Sequence, residues 1–328
     1  MEVQEDFIPT QEQNKRLYYT EFKPHEFSVS GKEVRPIISA NIIYFGGTFE
    51  TPHTPSTADL RQSWADYSGS NSFAFMPTEN AEDVRQFIKG RGLKNVVLAG
   101  YSQGAMRAIE LAKLMQGEGS EASVEGLVLL EPTGLYQQGE FELAMNFVLD
   151  SAVKTPLGLV KNREYIRRGM GVLREFLPRG VPTPPDAPFL DAPSLRKQIA
   201  VMSKVHPDLG DIQVPVVLMQ GEHDIVSAHG KVVPNEVEEQ NSERKSYINK
   251  LQSLRRQLGK KWNEFEFPRF EDLRETFLKQ HIFPKSPYVK MMIPERAGHH
   301  GVAIFRPEEV AKTSLYMLSR WSRQTSEK

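Results

Sequence analysis

The stretch Gly100-Tyr101-Ser102-Gln103-Gly104 constrains this chain more than any other. It is a G-x-S-x-G set between a short apolar run, Asn95-Val96-Val97-Leu98-Ala99, and a segment over 105–116 that is rich in Ala, Met, Ile and Leu and free of Gly and Pro. The first reads as a buried parallel strand and the second as a buried helix. A serine at such a junction is forced into a sharp turn that lifts its hydroxyl above the sheet. A side chain at either glycine would collide with the tight backbone or obstruct whatever approaches the hydroxyl. The pattern alone arises by chance in roughly one chain of this length in ten, so the flanking strand and helix carry the inference.

Further apolar runs recur, each closing on small or polar residues. The run over 40–45 leads into Gly46-Gly47-Thr48, that over 72–76 into Pro77, and that over 127–130 into Glu131-Pro132. The run over 214–219 ends at Gly221-Glu222-His223-Asp224, and that over 288–293 precedes Gly298-His299-His300. Helical patterns fill 79–89, 105–116 and 307–323. Strands alternating with helices predict an α/β fold with a mostly parallel central sheet flanked by helices. Ligands of such sheets bind beyond the carboxyl ends of the strands, where these polar closures fall.

Two stretches break the rhythm. The first, 133–210, carries helical patterns over 140–153 and 163–176 and a proline-rich connector over 178–188. The second, 226–287, carries a highly charged helix over 235–260 and another over 271–280. The expected organisation is therefore a core made of 1–132, 211–225 and 288–328, a helical lid or cap at 133–210, and a charged helical insertion at 226–287.

Composition removes several classes of function. The net charge is -1 over 328 residues, which gives no electrostatic case for nucleic acid or an anionic membrane. There is no cysteine, so disulfides, thiolate zinc sites and a cysteine nucleophile are excluded. The first residues, Met1 to Asp6, are acidic and lack the apolar core of a secretory signal. No apolar run reaches the roughly 20 residues that span a bilayer. A cytoplasmic protein without a membrane span is expected.

A serine hydroxyl becomes a nucleophile when a base takes its proton and a third group orients that base. Of the eight histidines, His299 and His300 are the pair that follows a late apolar run inside a glycine-bracketed loop. His299, directly after Gly298, is the expected base and His300 the alternate. Asp224 is the expected orienting acid, with Glu131 the competitor at the neighbouring strand end. A developing oxyanion would be met by the backbone N–H of Gln103 and by that of Gly47 or Thr48, in the loop after the first apolar run. Each feature has a plainer reading alone: a solvated loop, an acid satisfying loop amides, a Gly-Gly turn. Their common position at strand ends favours the chemical one.

With these residues in place the chain resembles the α/β-hydrolase superfamily. "LAGYSQGA", "GEHD" and "AGHHG" match its three main motifs, in its chain order of nucleophile, acid and histidine: Ser102, Asp224, His299. The likeness covers 40–132, 211–225 and 288–323. The chain departs from it in having Gly46-Gly47 where many members carry His-Gly, and in the long separation of Asp224 from His299. The resemblance implies the α/β-hydrolase fold with a lid after the sixth strand. It also implies two-step acyl transfer on a small-molecule acyl substrate, without metal or organic cofactor. A carboxylic ester is the expected substrate, with lactone or thioester beside it. Serine in place of aspartate at position 102 argues against dehalogenase or epoxide hydrolase chemistry. The alternatives are a C–C or C–N bond hydrolase or peptidase on the same fold, and a non-catalytic ligand-binding member.

The two interruptions are less informative. Phe141, Leu143, Met145, Phe147 and Val148 could line an acyl pocket, but at that spacing a helix packing face is the commoner meaning. Arg163, Arg167, Arg168 and Arg174 could meet an anion, but a solvated face is the commoner one. In the insertion, Tyr247, Ile248, Leu251, Leu254 and Leu258 recur at helical spacing. They predict an amphipathic helix packed on the core, with a homodimer contact as the alternative.

Overall fold

Short runs dense in Ile, Val and aromatic residues become strands. The computed structural model describes residues 2–9, 16–23, 37–47, 60, 63–64, 67–68, 73–76, 80–117, 122–150, 192–221, 224, 226, 237–258, 270–294, 299 and 306–326. Among them, eight strands form one sheet in the order β1-β2-β4-β3-β5-β6-β7-β8. They are β1 (Glu2–Pro9), β2 (Arg16–Lys23), β3 (Asn41–Phe45), β4 (Phe73–Met76), β5 (Asn95–Tyr101), β6 (Ser123–Leu130), β7 (Val216–Met219) and β8 (Val289–Met292). From β4 through β8 every neighbouring pair is parallel, while β2 runs antiparallel to both β1 and β4. The helices are α1 (Ala81–Gly90), α2 (Gln103–Met115), α3 (Glu140–Leu149), α4 (Ala192–Met202), α5 (Val237–Leu258), α6 (Phe270–Phe277) and α7 (Pro307–Ser326). The expected α/β architecture, a mostly parallel sheet flanked by helices, is the one the chain adopts.

Burial alternates along the central strands because successive side chains point to opposite faces. Ile43, Phe45, Val96, Leu98, Leu127, Leu129, Val216 and Leu218 share one core with α1 and α2. Ile42, Tyr44, Val97, Ala99, Val128, Leu130, Val217 and Met219 share the other with Leu60, Trp64 and α7. Both faces are dry, which explains why these strands read as continuous apolar runs. Helix α1 begins where the Asn80 side chain accepts the Glu82 N–H at 3.0 Å, and it buries Val84, Phe87 and Ile88. Each such fully buried side chain contributes roughly 1.5–3 kcal/mol. Helix α7 lies so close to β6 that a Cβ on Gly126 would collide with Leu318. Helix α6 is tied to β8: Glu275 accepts the Met291 N–H at 3.0 Å and pairs with Lys290 at 2.6 Å. Leu278 and Phe283, just beyond it, are buried in the first core.

Several elements depart from expectation. The N-terminal pair β1 and β2 was unforeseen, because it lacks the continuous apolar run of a strand buried on both faces. Strand β5 runs on through Gly100 to Tyr101, so the serine follows it without a linker. Helix α4 was also unforeseen. The expected helix over 163–176 with its arginines, and the connector over 178–188, lie outside the described residues. On α5, Tyr247, Leu251 and Leu254 are half-buried while Lys250, Arg255 and Arg256 are exposed, an amphipathic pattern. The side chains of Ile248 and Leu258 lie outside the description. Among the described residues no helix is long and apolar enough to cross a membrane.

Candidate active site

Five strands deliver polar loops to one end of the sheet. At the end of β5, Ser102 takes φ 53 and ψ -117, a conformation L-residues avoid, and α2 begins at the next residue. The turn is held from outside: the Ser102 N–H donates to the Leu130 carbonyl at 2.9 Å, and the Ser102 carbonyl accepts from Ala105 and Thr133. Such strain of about 1–3 kcal/mol persists only when its surroundings over-determine it. The glycines make the packing achievable. A Cβ on Gly104 would collide with the Phe45 carbonyl oxygen at the end of β3, and one on Gly100 with the Gly104 backbone. Gly104→Ala is therefore expected to cost about 3 kcal/mol, read as a lower urea midpoint. Gly90→Ala, where an added methyl meets nothing within 4 Å, is the control.

Three of the sequence-derived candidates meet here. His299 Nε2 lies 2.8 Å from Ser102 Oγ, and His299 Nδ1 lies 3.0 Å from Asp224 Oδ1. With the proton on Nδ1, the imidazole donates to Asp224 and accepts from the serine hydroxyl. Asp224, at the end of β7, also accepts the Val226 N–H at 2.8 Å, which fixes its carboxylate. Ser102 is 3 % exposed, and Asp224 and His299 are 0 % exposed. Burial alone would push the His299 pKa down, but the charge of Asp224, its hydrogen bond and then the charge of Asp150 outweigh it. The imidazole is held above the ordinary histidine value.

The other candidates occupy the margin. Gln103 is the first residue of α2, where backbone N–H groups have no acceptor within the helix. Gly47 follows β3 closely enough that a Cβ there would lie 3.5 Å from Ser102 Cβ and 2.6 Å from Tyr101 Cδ1. Glu131 is fully buried at the end of β6 with φ 46, its N–H donating to the Met219 carbonyl at 2.7 Å. Thr48 and His300 lie outside the described residues.

Three further residues touch His299: sequence reasoning passed over Tyr101 and Asp150, and read Phe147 only as a pocket-lining or packing residue. The Tyr101 hydroxyl donates to the His299 carbonyl at 3.0 Å. Asp150 Oδ1 accepts the His299 backbone N–H at 3.2 Å. The Phe147 ring stands edge-on to the imidazole, centroids 6.2 Å apart at 65°. Asp150 had left one signal, a lone acid closing the apolar run Phe147-Val148-Leu149.

A family model described as "Alpha/beta hydrolase family" matches residues 51–313. Similar solved structures include an esterase from Pyrococcus furiosus, at 14% identity and TM-score 0.50, covering 98% of this chain and 91% of that one. An esterase from Exiguobacterium antarcticum is similar at 12% identity and TM-score 0.48, covering 92% and 95%. A putative non-heme bromoperoxidase from Mycobacterium tuberculosis is similar at 16% identity and TM-score 0.49, covering 93% and 96%. At these identities the likeness is one of fold. No curated protein sequence matches the chain.

Proposed function

The chain belongs to the alpha/beta hydrolase family, and from that premise we propose that it is a serine hydrolase that cleaves a carboxylic ester through an acyl-enzyme. The observation that carries the reading is the buried relay in which His299 stands 2.8 Å from Ser102 Oγ through one ring nitrogen and 3.0 Å from Asp224 through the other. A nucleophile, its base and an orienting acid within hydrogen-bond reach are what covalent acyl transfer requires.

Ser102 Oγ attacks the substrate carbonyl while His299 Nε2 takes its proton. Asp224 holds the tautomer and stabilises the imidazolium. The oxyanion forms beside the N–H groups of Gln103 and of Gly47 or Thr48, where donors fixed in advance need no reorganisation. The imidazolium then protonates the leaving alcohol. Water, deprotonated by His299, attacks the acyl-enzyme and releases the acid. Helices α3 and α4, whose Leu143 and Met202 pack with Met106 and Val226, act in this reading as part of the cap that excludes water and selects the acyl group by shape.

The test is labelling with a fluorophosphonate beside a chain-length series of p-nitrophenyl esters. Stoichiometric labelling, competed by the preferred ester, is expected. Folded protein that neither labels nor hydrolyses any ester of the series would remove the reading.

A further inference from the structure

One helix touches all three segments of the candidate relay. The inward side of α3 carries Leu143, which is buried in a small cluster with Met106, Met202 and Val226. Met106 stands on α2 four residues after Ser102, and Val226 lies two residues after Asp224. Just before α3, the Gln138 side chain donates to the Val226 carbonyl at 2.9 Å. One turn beyond Leu143, Phe147 packs edge-on against the His299 ring and joins the same cluster. Three residues later, and so on the same side of the helix, Asp150 accepts the His299 backbone N–H at 3.2 Å. The far side of that residue is also held, because the Tyr101 hydroxyl donates to the His299 carbonyl at 3.0 Å.

Asp150 is a costly residue to keep at this place. Its carboxylate is 0 % exposed, and burying a charge is unfavourable unless partners compensate it. It also stands at the C-cap of α3, the end of a helix that favours cations over anions. Neutral Asn would accept the same N–H without either penalty. The partner the carboxylate shares with the relay is the His299 main chain, and its charge acts on the same residue's imidazole. Among the described residues, Asp224, Asp150, the Tyr101 hydroxyl and Ser102 face His299.

We propose that Asp150 is a positioning residue for His299, clamping its main chain from the end of α3 and adding a second negative charge beside the imidazole. The inference rests on the serine hydrolase reading for its catalytic consequence, but not for the clamp itself. In that reading Asp224 orients the ring through Nδ1, while Asp150 and Tyr101 fix the backbone from which the ring projects. The cap thereby holds the base in register with the serine.

The test uses the full chain, with Asp150→Asn and Asp150→Ala beside wild type. Imidazole titrations are followed by NMR, and the His299 signal is the one lost in His299→Gln. Asp150→Asn keeps an acceptor and removes the charge, so the His299 midpoint should move to lower pH with the plateau of ester turnover little changed. Asp150→Ala removes the clamp as well. Its kcat should fall about 10- to 100-fold with KM much less affected, the scale of loss expected from a misplaced reacting group, and Asn should restore most of it. A purely structural Asp150 would lower stability in both variants and leave the His299 midpoint in place, which overturns the proposal. So would a fully active Asp150→Ala with an unshifted midpoint. The two readings fail separately. Wild type without labelling or turnover, but with a midpoint that still falls in Asp150→Asn, would sink the hydrolase and keep the Asp150 charge beside the imidazole.

Discussion

Ser102→Ala should lower ester turnover by on the order of 10⁴-fold or more and abolish fluorophosphonate labelling, with the fold intact. The loss is large because the hydroxyl is the bond-forming atom, and no neighbouring group described here can replace it. The stability change should be small, since one hydrogen bond of 2.8 Å to His299 is lost, about 1 kcal/mol. A second substitution separates chemistry from conformation. Alanine keeps the penalty of φ 53 at this position, whereas glycine adopts it freely. Ser102→Gly should be equally inactive yet more stable than Ser102→Ala, by about 1 kcal/mol or more, read from paired urea midpoints. Equal stability of the two variants would mean that the turn stores no strain. Retained turnover in either would remove Ser102 as nucleophile.

The parts of the fold that were legible in the sequence share a physical property. Strands β3, β5, β6 and β7 are buried on both faces, so each reads as an unbroken apolar run closed by a polar or glycine-rich loop. Helix α1 was legible from its periodicity, which survives as the buried set Val84, Phe87 and Ile88. The unforeseen elements lack such marks. Strands β1 and β2 pair antiparallel, a geometry that does not require apolar residues at consecutive positions. Helix α4 carries a proline in its first turn, directly after a proline-rich stretch, which reads as a loop until the helix is seen.

The candidate site divides in the same way. Ser102, Asp224 and His299 could be nominated because each closes an apolar run with a recognisable polar cluster. Asp150 and Tyr101 meet His299 only through folding: 149 and 198 residues of chain separate the partners. Tyr101 occupies a variable position of the G-x-S-x-G, and Asp150 follows a helix whose apolar residues promised only packing. The long stretch between Asp224 and His299 does not obstruct the relay, because β7 and β8 are neighbours and end together, Met219 opposite Met292.

The second large effect is expected at Asp224. Asparagine there preserves shape but can present its amide N–H to His299 Nδ1. The ring proton would then sit on Nε2, which could no longer accept from Ser102. Turnover should fall about 10⁴-fold. The pH dependence tests the same assignment in a second way. The base must be neutral, and its pKa is held above the ordinary histidine value mainly by Asp224 acting against burial. In wild type, kcat/KM should therefore decline on acidification from a pH above that value. Removing the Asp224 charge leaves burial to dominate, so the residual activity of Asp224→Asn should decline at lower pH than wild type. Glu131→Gln is the comparison, a carboxylate equally buried at the adjacent strand end. With His299 Nδ1 directed at Asp224, it should change the plateau less than about tenfold and leave the acid limb where it is. If Glu131→Gln instead carried the large loss and the shifted limb, the orienting acid would be the one at the end of β6. The contact between Asp224 and His299 would then be a resting-state arrangement that turnover does not use.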